Sequence, residues 1–186
     1  MTRLEESQVP EVAKIDHACA AMYHEIGFDA AEVPVRSPTD LVMLTRHHNV
    51  YVIEANRNPA GYAAWRDEEP GVAYIEEINV SPDWQRFGLG AKLMETIRED
   101  ARKEGLKHIV VRAWTKANWA MSFYRKLGFH EADGTRTLPN DVMGWVTKAG
   151  ESGRPVTRPG EVVLFGEVGA PPPEPGDEEE DEALAD

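Results

Sequence analysis

The segment from Val80 to Gly90, VSPDWQRFGLG, lies between an apolar run, Val72–Val80, and an amphipathic stretch that begins at Leu89. Gly88 and Gly90 allow a tight backbone turn and keep any Cβ away from the space in front of its N–H groups. A helix opening at Leu89 adds unpaired N–H donors and the positive end of its dipole, and Arg86 adds a cation. Together these suit the binding of a pyrophosphate. Spacing excludes two familiar cradles. A P-loop needs four residues between its glycines and Lys-Ser/Thr after the second, whereas one residue separates Gly88 from Gly90 and Ala91 follows. A dinucleotide fingerprint needs a third glycine where this chain has Leu93.

Two adjacent acids, Glu76 and Glu77, precede the turn. On a regular strand residues 74, 76, 78 and 80 share one face and 75, 77 and 79 the other, so the two acids part company unless a bulge intervenes.

The elements that must position these residues are read from periodicity and stop signals. Val12, Ile15, Cys19, Met22, Tyr23 and Ile26 fall at helical spacing, with Gly27 as a stop. Ser37-Pro38-Thr39-Asp40 caps a short second helix running to about His47, with Leu41 and Leu44 as its apolar contacts. Runs at Val50–Ala55, Gly61–Arg66 and Val72–Val80, separated by turn residues, predict an antiparallel meander. A helix over about Leu89–Glu104 buries Leu93, Ile97 and Ala101 and stops at Gly105. There follow a strand at His108–Trp114, a helix at about Asn118–Leu127 ended by Gly128, and strands near Phe129–Ala132 and Asp141–Lys148. The strand–helix–strand order around Leu89–Lys103 implies one parallel crossover in an otherwise antiparallel sheet.

Two motifs in this order, Gln85-x-x-Gly88-x-Gly90 after Ile78-Asn79-Val80, and Asn118-x-Ala120-x-x-Phe123-Tyr124-x-x-x-Gly128-Phe129, resemble the acyl-CoA site of the GCN5-related N-acetyltransferase (GNAT) superfamily. The resemblance covers roughly residues 1–148. It implies an α/β fold with a mixed, mostly antiparallel sheet of six to seven strands, about four flanking helices and one central parallel crossover. It also implies two parallel strands, here Val72–Val80 and His108–Trp114, splayed to admit acetyl-CoA as acyl-donor co-substrate.

Carried over by residue, the resemblance makes Gln85, Arg86, Phe87, Gly88, Leu89 and Gly90 the pyrophosphate loop. Asn79 and Val80 supply main-chain bonds to the pantetheine and acetyl carbonyl, Asn118 contacts the cofactor arm, and Tyr124 is the proton donor to the departing sulfur. Family bases stand four or six positions before the residue matching Val80, which points first to Glu76, with Tyr74 beside it; a bulge transfers the role to Glu77. The chemistry needs such groups. An alkyl ammonium with a pKa of about 10.4 is neutral to only on the order of one part in a thousand at pH 7, and a thiolate of pKa near 8.5 must leave. A phenol of pKa near 10 can protonate that thiolate, and a backbone N–H near Val80 can stabilise the developing oxyanion. No covalent enzyme intermediate or metal is required.

The implied reaction is acetyl transfer to a primary amine. Acceptor pockets in the family draw on the first two helices and their connection, here Phe28–Arg36. Glu25, Asp29 and Glu32 in that region lean toward a small cationic acceptor such as a polyamine or aminoglycoside. The alternatives are a protein N-terminal or lysine acetyltransferase, and a non-catalytic module that binds acyl-CoA as a sensor.

Each motif residue also has a plain reading. Glu76 and Glu77 suit a half-exposed strand, Tyr124 a core aromatic beside Phe123, Asn118 a helix cap and Arg86 a surface charge. His47 and His48 are adjacent, so their rings cannot share a helix face as metal ligands, and His17, His24, His108 and His130 are scattered. Cys19 lies on the apolar stripe of the first helix, where burial is the expectation.

The 186 residues are 41% hydrophobic and 28% charged, as in an ordinary globular domain. One cysteine excludes a disulfide framework and a Cys-based zinc site. The start of the chain lacks the pattern of a secretory signal, and a cytoplasmic protein is the expectation. Net charge is −13. Eight of the 33 acids fall in 171–186, leaving 25 against 20 Lys and Arg before that, a net −5 that disfavours nucleic acid as a partner. The expected organisation is an acetyltransferase-like domain over 1–149, a linker with an extra strand over 150–170, and an acidic disordered tail over 171–186. The extra strand, Val162–Phe165, either extends the sheet edge or pairs with a second subunit, making a homodimer one reading of the chain.

Overall fold

The apolar runs pair into one seven-stranded sheet in the computed structural model, which describes residues 1–151 and 157–170. The strands are β1 (Thr2–Arg3), β2 (Asn49–Ala55), β3 (Asn58–Glu68), β4 (Val72–Val80), β5 (His108–Trp114), β6 (His130–Glu131) and β7 (Glu161–Glu167). Their spatial order is β1-β2-β3-β4-β5-β7-β6, antiparallel throughout except for β4 against β5. The expected crossover is therefore present, made by α3 (Leu89–Lys103). The other helices are α1 (Val9–Glu25), α2 (Pro38–Leu44), α4 (Asn118–Lys126) and α5 (Asn140–Glu151).

Local chemistry explains the boundaries. Ser37 Oγ accepts the Asp40 N–H at 3.2 Å, the Asp40 carboxylate accepts the Ser37 N–H at 2.9 Å, and Pro38 occupies the first turn, so α2 starts where the sequence requires. The helix is shorter than expected, ending at Leu44.

The layers follow the apolar stripes. Leu93, Met94, Ile97 and Ala101 of α3 and Met121 and Tyr124 of α4 pack on Ala63, Trp65, Ala73 and Ile75 on one face. On the other, Val12, Ile15 and Cys19 of α1 and Leu41 and Leu44 of α2 cover Val50, Val52, Tyr62 and Ala64. Val142 and Trp145 of α5 cover Val72, Tyr74, Val110, Val163 and Phe165.

Two expectations are corrected. Asp141–Lys148 is helical, not a strand: its apolar residues Val142, Trp145 and Val146 recur at helical spacing and face β4 and β5. Gly144 lets that helix approach the neighbouring turn, since a Cβ there would stand 2.7 Å from the Pro70 ring. The run at Val162–Phe165 does form a strand, but it is not the edge of the sheet. It lies inside the sheet, with β5 on one side and β6 on the other. The expected linker falls partly, and the acidic tail wholly, outside the described residues.

Candidate active site at the parting of two parallel strands

Parallel pairing between β4 and β5 is confined to Ala73–Ile75 against Ile109–Val111. Beyond it β4 stays with β3 and β5 stays with β7, so the two strands part. The parting begins at a bulge. Ile75 faces Trp65 and Glu77 faces Ala64, which leaves Glu76 as the extra residue. A bulge bends its strand and shifts the alternation of side chains. Ile75, Ile78 and Val80 accordingly pack with the α3 side, while Glu76, Glu77 and Asn79 fall together on the α1 side. Both acids thus reach the same face, which regular alternation does not allow.

Their surroundings differ. Glu76 Oε2 is 3.1 Å from Arg66 and 3.6 Å from His48 Nε2, and its other oxygen is 3.4 Å from Arg36. The contact with His48, then the Arg66 and Arg36 guanidinia, outweigh burial and hold this carboxyl down at about 2. Glu77 Oε1 accepts from Arg36 Nε at 2.8 Å, and Oε2 is 2.5 Å from the Tyr62 hydroxyl. Here burial dominates and, with Asp16 nearby, raises the pKa against the pull of Arg36. Asp16, 4% exposed, accepts the Arg36 backbone N–H at 2.6 Å and stands 2.5 Å from the same hydroxyl; Asn79 Nδ2 donates to that hydroxyl oxygen at 3.1 Å.

The turn after β4 is held from behind. Gln85 Nε2 donates to the Val80 carbonyl at 3.1 Å, and Cys19 Sγ lies 3.3 Å from the same oxygen. That carbonyl's two lone pairs are thus used within the protein. Gln85 turns inward as a brace. Arg86 and Gly88 both take left-handed conformations, φ 66° and 73°, and Gly88 caps α3 with no side-chain hydrogen bond. The first-turn N–H groups of α3 are therefore left without a capping side chain. A Cβ on Gly88 would meet nothing within 4 Å, whereas one on Gly90 would meet the Phe123 ring. Gly88 shapes the turn; Gly90 admits α4. Phe87 is 67% exposed beside Trp84, Leu89 is half-buried, and Arg86 is exposed with no ion pair among the described residues.

Asn118 is the exposed first residue of α4, but Ala117 takes the capping position without a side-chain bond, so Asn118 is not a cap. Tyr124, 6% exposed, packs against Phe123 and Phe129 with ring centroids 5.1 and 5.3 Å away. Burial, with Tyr23 and Tyr74 nearby, pushes its phenol well above the ordinary value. Tyr23 is raised to about 12 by burial, with Cys19 and Glu77 adding to the shift, and Cys19 is raised to about 12 by burial, Asp16 and Glu77.

Sequence reasoning missed Asp16, Arg36 and Tyr62. One signal was available: Asp16 interrupts the apolar stripe Val12-Ile15-Cys19 of α1. Nothing in the local sequence marks Arg36 or Tyr62, which reach Glu77 only through tertiary packing.

The connection between α1 and α2 leans on β5 and on the segment just before β7. Phe28 packs on Trp114 with centroids 4.7 Å apart, and Arg158 lies 4.7 Å from the Trp114 ring while donating to the Glu32 carbonyl at 2.8 Å. Asp29 and Glu32 close their own turn: Asp29 Oδ1 accepts the Ala31 and Glu32 N–H groups at 2.8 and 2.9 Å, and Glu32 Oε2 accepts the Asp29 N–H at 3.0 Å. A surface depression of about 500 Å³ between α1 and the start of α2, lined by His17 and Arg36 among others, shares only Arg36 with this site. Among the described residues no group of three or more His, Cys, Asp or Glu is disposed to hold a metal, and no helix is long and apolar enough to cross a membrane.

Comparison with known proteins gives a consistent family. A family model described as "Acetyltransferase (GNAT) family" matches residues 11–129. An uncharacterized N-acetyltransferase of Methanocaldococcus jannaschii is 34% identical over 102 residues, 52% of this chain and 42% of the relative. The ribosomal protein bS18 alanine N-acetyltransferase of Escherichia coli K12 is 35% identical over 60 residues, 32% of this chain and 40% of the relative. The chain thus spans about four-tenths of the length of each. Among solved structures, the PaiA N-acetyltransferase of Thermoplasma acidophilum in complex with coenzyme A has a TM-score of 0.70 at 11% identity, covering 89% of this chain and 96% of that one, a likeness of fold.

Proposed function

Because the chain belongs to the acetyltransferase (GNAT) family, we propose that it is an N-acetyltransferase that moves an acetyl group from acetyl-CoA to a primary amine by direct attack. The observation that carries this reading is the uncapped helix start behind a left-handed turn; a buried phenol on the helix packed against that turn and a desolvated carboxyl on the strand leading into it support it. Acetyl-CoA fits the first of these. The turn Gln85–Gly90 would hold its pyrophosphate through main-chain N–H groups with Arg86 beside them, Phe87 and Leu89 flanking. Asn118 would reach the cofactor arm. The Val80 carbonyl is used internally, so Asn79 and the Val80 N–H are assigned the main-chain contacts to the pantetheine and acetyl group.

In this scheme Glu77 takes the amine proton and Tyr124 gives its own to the departing sulfur. Glu77 is preferred over Glu76 because a base must bind a proton near working pH, and a carboxylate held at about 2 by cations scarcely does. Glu76 instead fixes Arg36, which in turn orients Glu77. Tyr124 stays protonated to high pH and so remains a donor throughout the working range.

The acceptor assigned to the site is a peptide N-terminus in preference to a polyamine or aminoglycoside. Asp29 and Glu32, which suggested a cationic acceptor, are engaged in closing their own turn, and Arg36 and Arg66 offset Glu76 and Glu77. The likeness to the bS18 alanine acetyltransferase points the same way. A mass-shift screen with acetyl-CoA against alanine-starting peptides, lysine peptides, amino acids, polyamines and aminoglycosides tests it. The expected result is one acetyl group added to peptides with a free N-terminus. Binding of acetyl-CoA with no acceptor modified, and no effect of Tyr124→Phe, would make the protein a sensor module instead.

A further inference from the structure

The contacts around Tyr62 cannot all be satisfied by its own proton. The hydroxyl stands 2.5 Å from Asp16 Oδ1 and 2.5 Å from Glu77 Oε2, and its oxygen already accepts from Asn79 Nδ2. A phenol has one hydrogen, so it donates to one carboxylate, and the other contact needs a proton on a carboxyl oxygen. Asp16 is the better home for the negative charge, because its second oxygen accepts the Arg36 N–H at 2.6 Å. Tyr62 then donates to Asp16, and protonated Glu77 donates to Tyr62.

We propose that Asp16 and Tyr62 are positioning residues for the base: together with Glu77 they form a carboxyl–phenol–carboxyl chain that shares one extra proton, and the buried charge of Asp16 sets the proton affinity of Glu77. This inference rests on the reading of Glu77 as the base. A lone carboxylate beside Arg36 would be a weak base, whereas a second buried carboxylate opposes its ionisation. The other groups facing Glu77 are Arg36 from the 26–37 connection, Cys19 and Tyr23 from α1, and Glu76 on its own strand. Arg36 alone among these favours the ionised form. Cys19 and Tyr23, with pKa values near 12, stay neutral, and Glu76 is itself offset by Arg66.

Proton balance follows. The reactive form is the one in which Glu77 has released the shared proton: when the amine nitrogen bonds to the acetyl carbon, its proton passes to the Glu77 carboxylate, which restores the chain in which Glu77 donates to the Tyr62 oxygen and Tyr62 to Asp16. The C–S bond breaks with the Tyr124 proton going to sulfur. Glu77 then releases its proton to solvent, and Tyr124 regains one.

The test is ¹³C NMR titration of the Asp and Glu side-chain carboxyls in the full chain without substrates, paired with pH profiles of kcat/KM. In the wild-type protein one carboxyl, assigned by its loss in Glu77→Gln, should titrate above the ordinary Glu range. Asp16→Asn keeps the acceptor for the Arg36 N–H and removes the charge, so that titration and the acidic limb should both fall by about one pH unit or more. Tyr62→Phe should lower kcat at least tenfold with both KM values within twofold of wild type. A wild-type Glu77 that titrates in the ordinary range overturns the proposal without any variant, as does an Asp16→Asn titration that stays in place. An enzyme that acetylates nothing yet shows the shifted titration would refute the proposed function and leave the coupled pair standing.

Discussion

Gly90 of α3 lies directly against Phe123 of α4: a Cβ built on Gly90 would stand 3.0 Å from the ring, closer than carbon atoms pack. The turn assigned to the pyrophosphate and the helix that carries Tyr124 are therefore in direct contact. Gly90→Ala should push α4 outward, with an overpacking cost of about 1–2 kcal/mol. A lower melting temperature and a reduced kcat are expected together. Gly88→Ala meets open space and should instead cost about 1 kcal/mol through its left-handed backbone, read in chemical denaturation.

Tyr124→Phe removes one hydroxyl from a buried site and leaves the ring contacts with Phe123 and Phe129. As the proposed proton donor, its loss should lower kcat by about 10²-fold while calorimetry with acetyl-CoA shows an unchanged Kd. A kcat within twofold of wild type would remove Tyr124 from the scheme.

The two adjacent acids should act on stability with opposite signs. Glu76 falls from an ordinary 4.5 to about 2 in the fold, so its stabilising effect is present above 4.5 and is lost as pH drops toward 2. That effect is at most roughly 3 kcal/mol, and Glu76→Gln should flatten the unfolding free energy across that window. Glu77 is raised, so its ionisation opposes the fold as pH climbs through the folded-state value. Glu77→Gln should therefore be more stable than wild type at alkaline pH and nearly inactive. Urea titrations from pH 2 to pH 9 measure both.

Arg158, just before β7, holds the connection after α1 through the Glu32 carbonyl and lies over the face of Trp114. Arg158→Ala removes a hydrogen bond worth about 1 kcal/mol, and the acceptor KM should rise roughly fivefold. The Kd for acetyl-CoA should not move, since that contact lies away from the turn at Gly88.

Burial, with Asp16 and Glu77 adding to it, holds the Cys19 thiol at about 12, and its Sγ is turned to the Val80 carbonyl. Iodoacetamide should label it slowly in the native protein and rapidly in denaturant. Incubation with acetyl-CoA should leave no acetyl group on it, as direct transfer requires; intact mass measurement decides this.

Much of the frame was legible because it depends on near neighbours in sequence. Ser37, Pro38 and Asp40 specify the start of α2, β4 and β5 have the bounds read from their apolar runs, and Gly105 and Gly128 follow α3 and α4 in left-handed conformations. The Asp141–Lys148 segment was misread because Val142, Trp145 and Val146 satisfy a strand's preference for β-branched and aromatic residues as readily as a helix's spacing. Its docking on Tyr74 and Phe165 settles the matter, and that contact is non-local.

By itself, then, the sequence determined the order of elements, the glycine turn and the residue types available for acetyl transfer, since propensities, caps and stops act over a few residues. Tertiary structure decided which acid has which environment. The extra residue at Glu76 exists only in the pairing of β4 with β3, and the groups that separate two chemically identical side chains, Arg36, Arg66 and His48 around one and Asp16 and Tyr62 around the other, come from distant parts of the chain. Proton affinity depends on such neighbours and on exclusion from water, and neither is a local property of the chain.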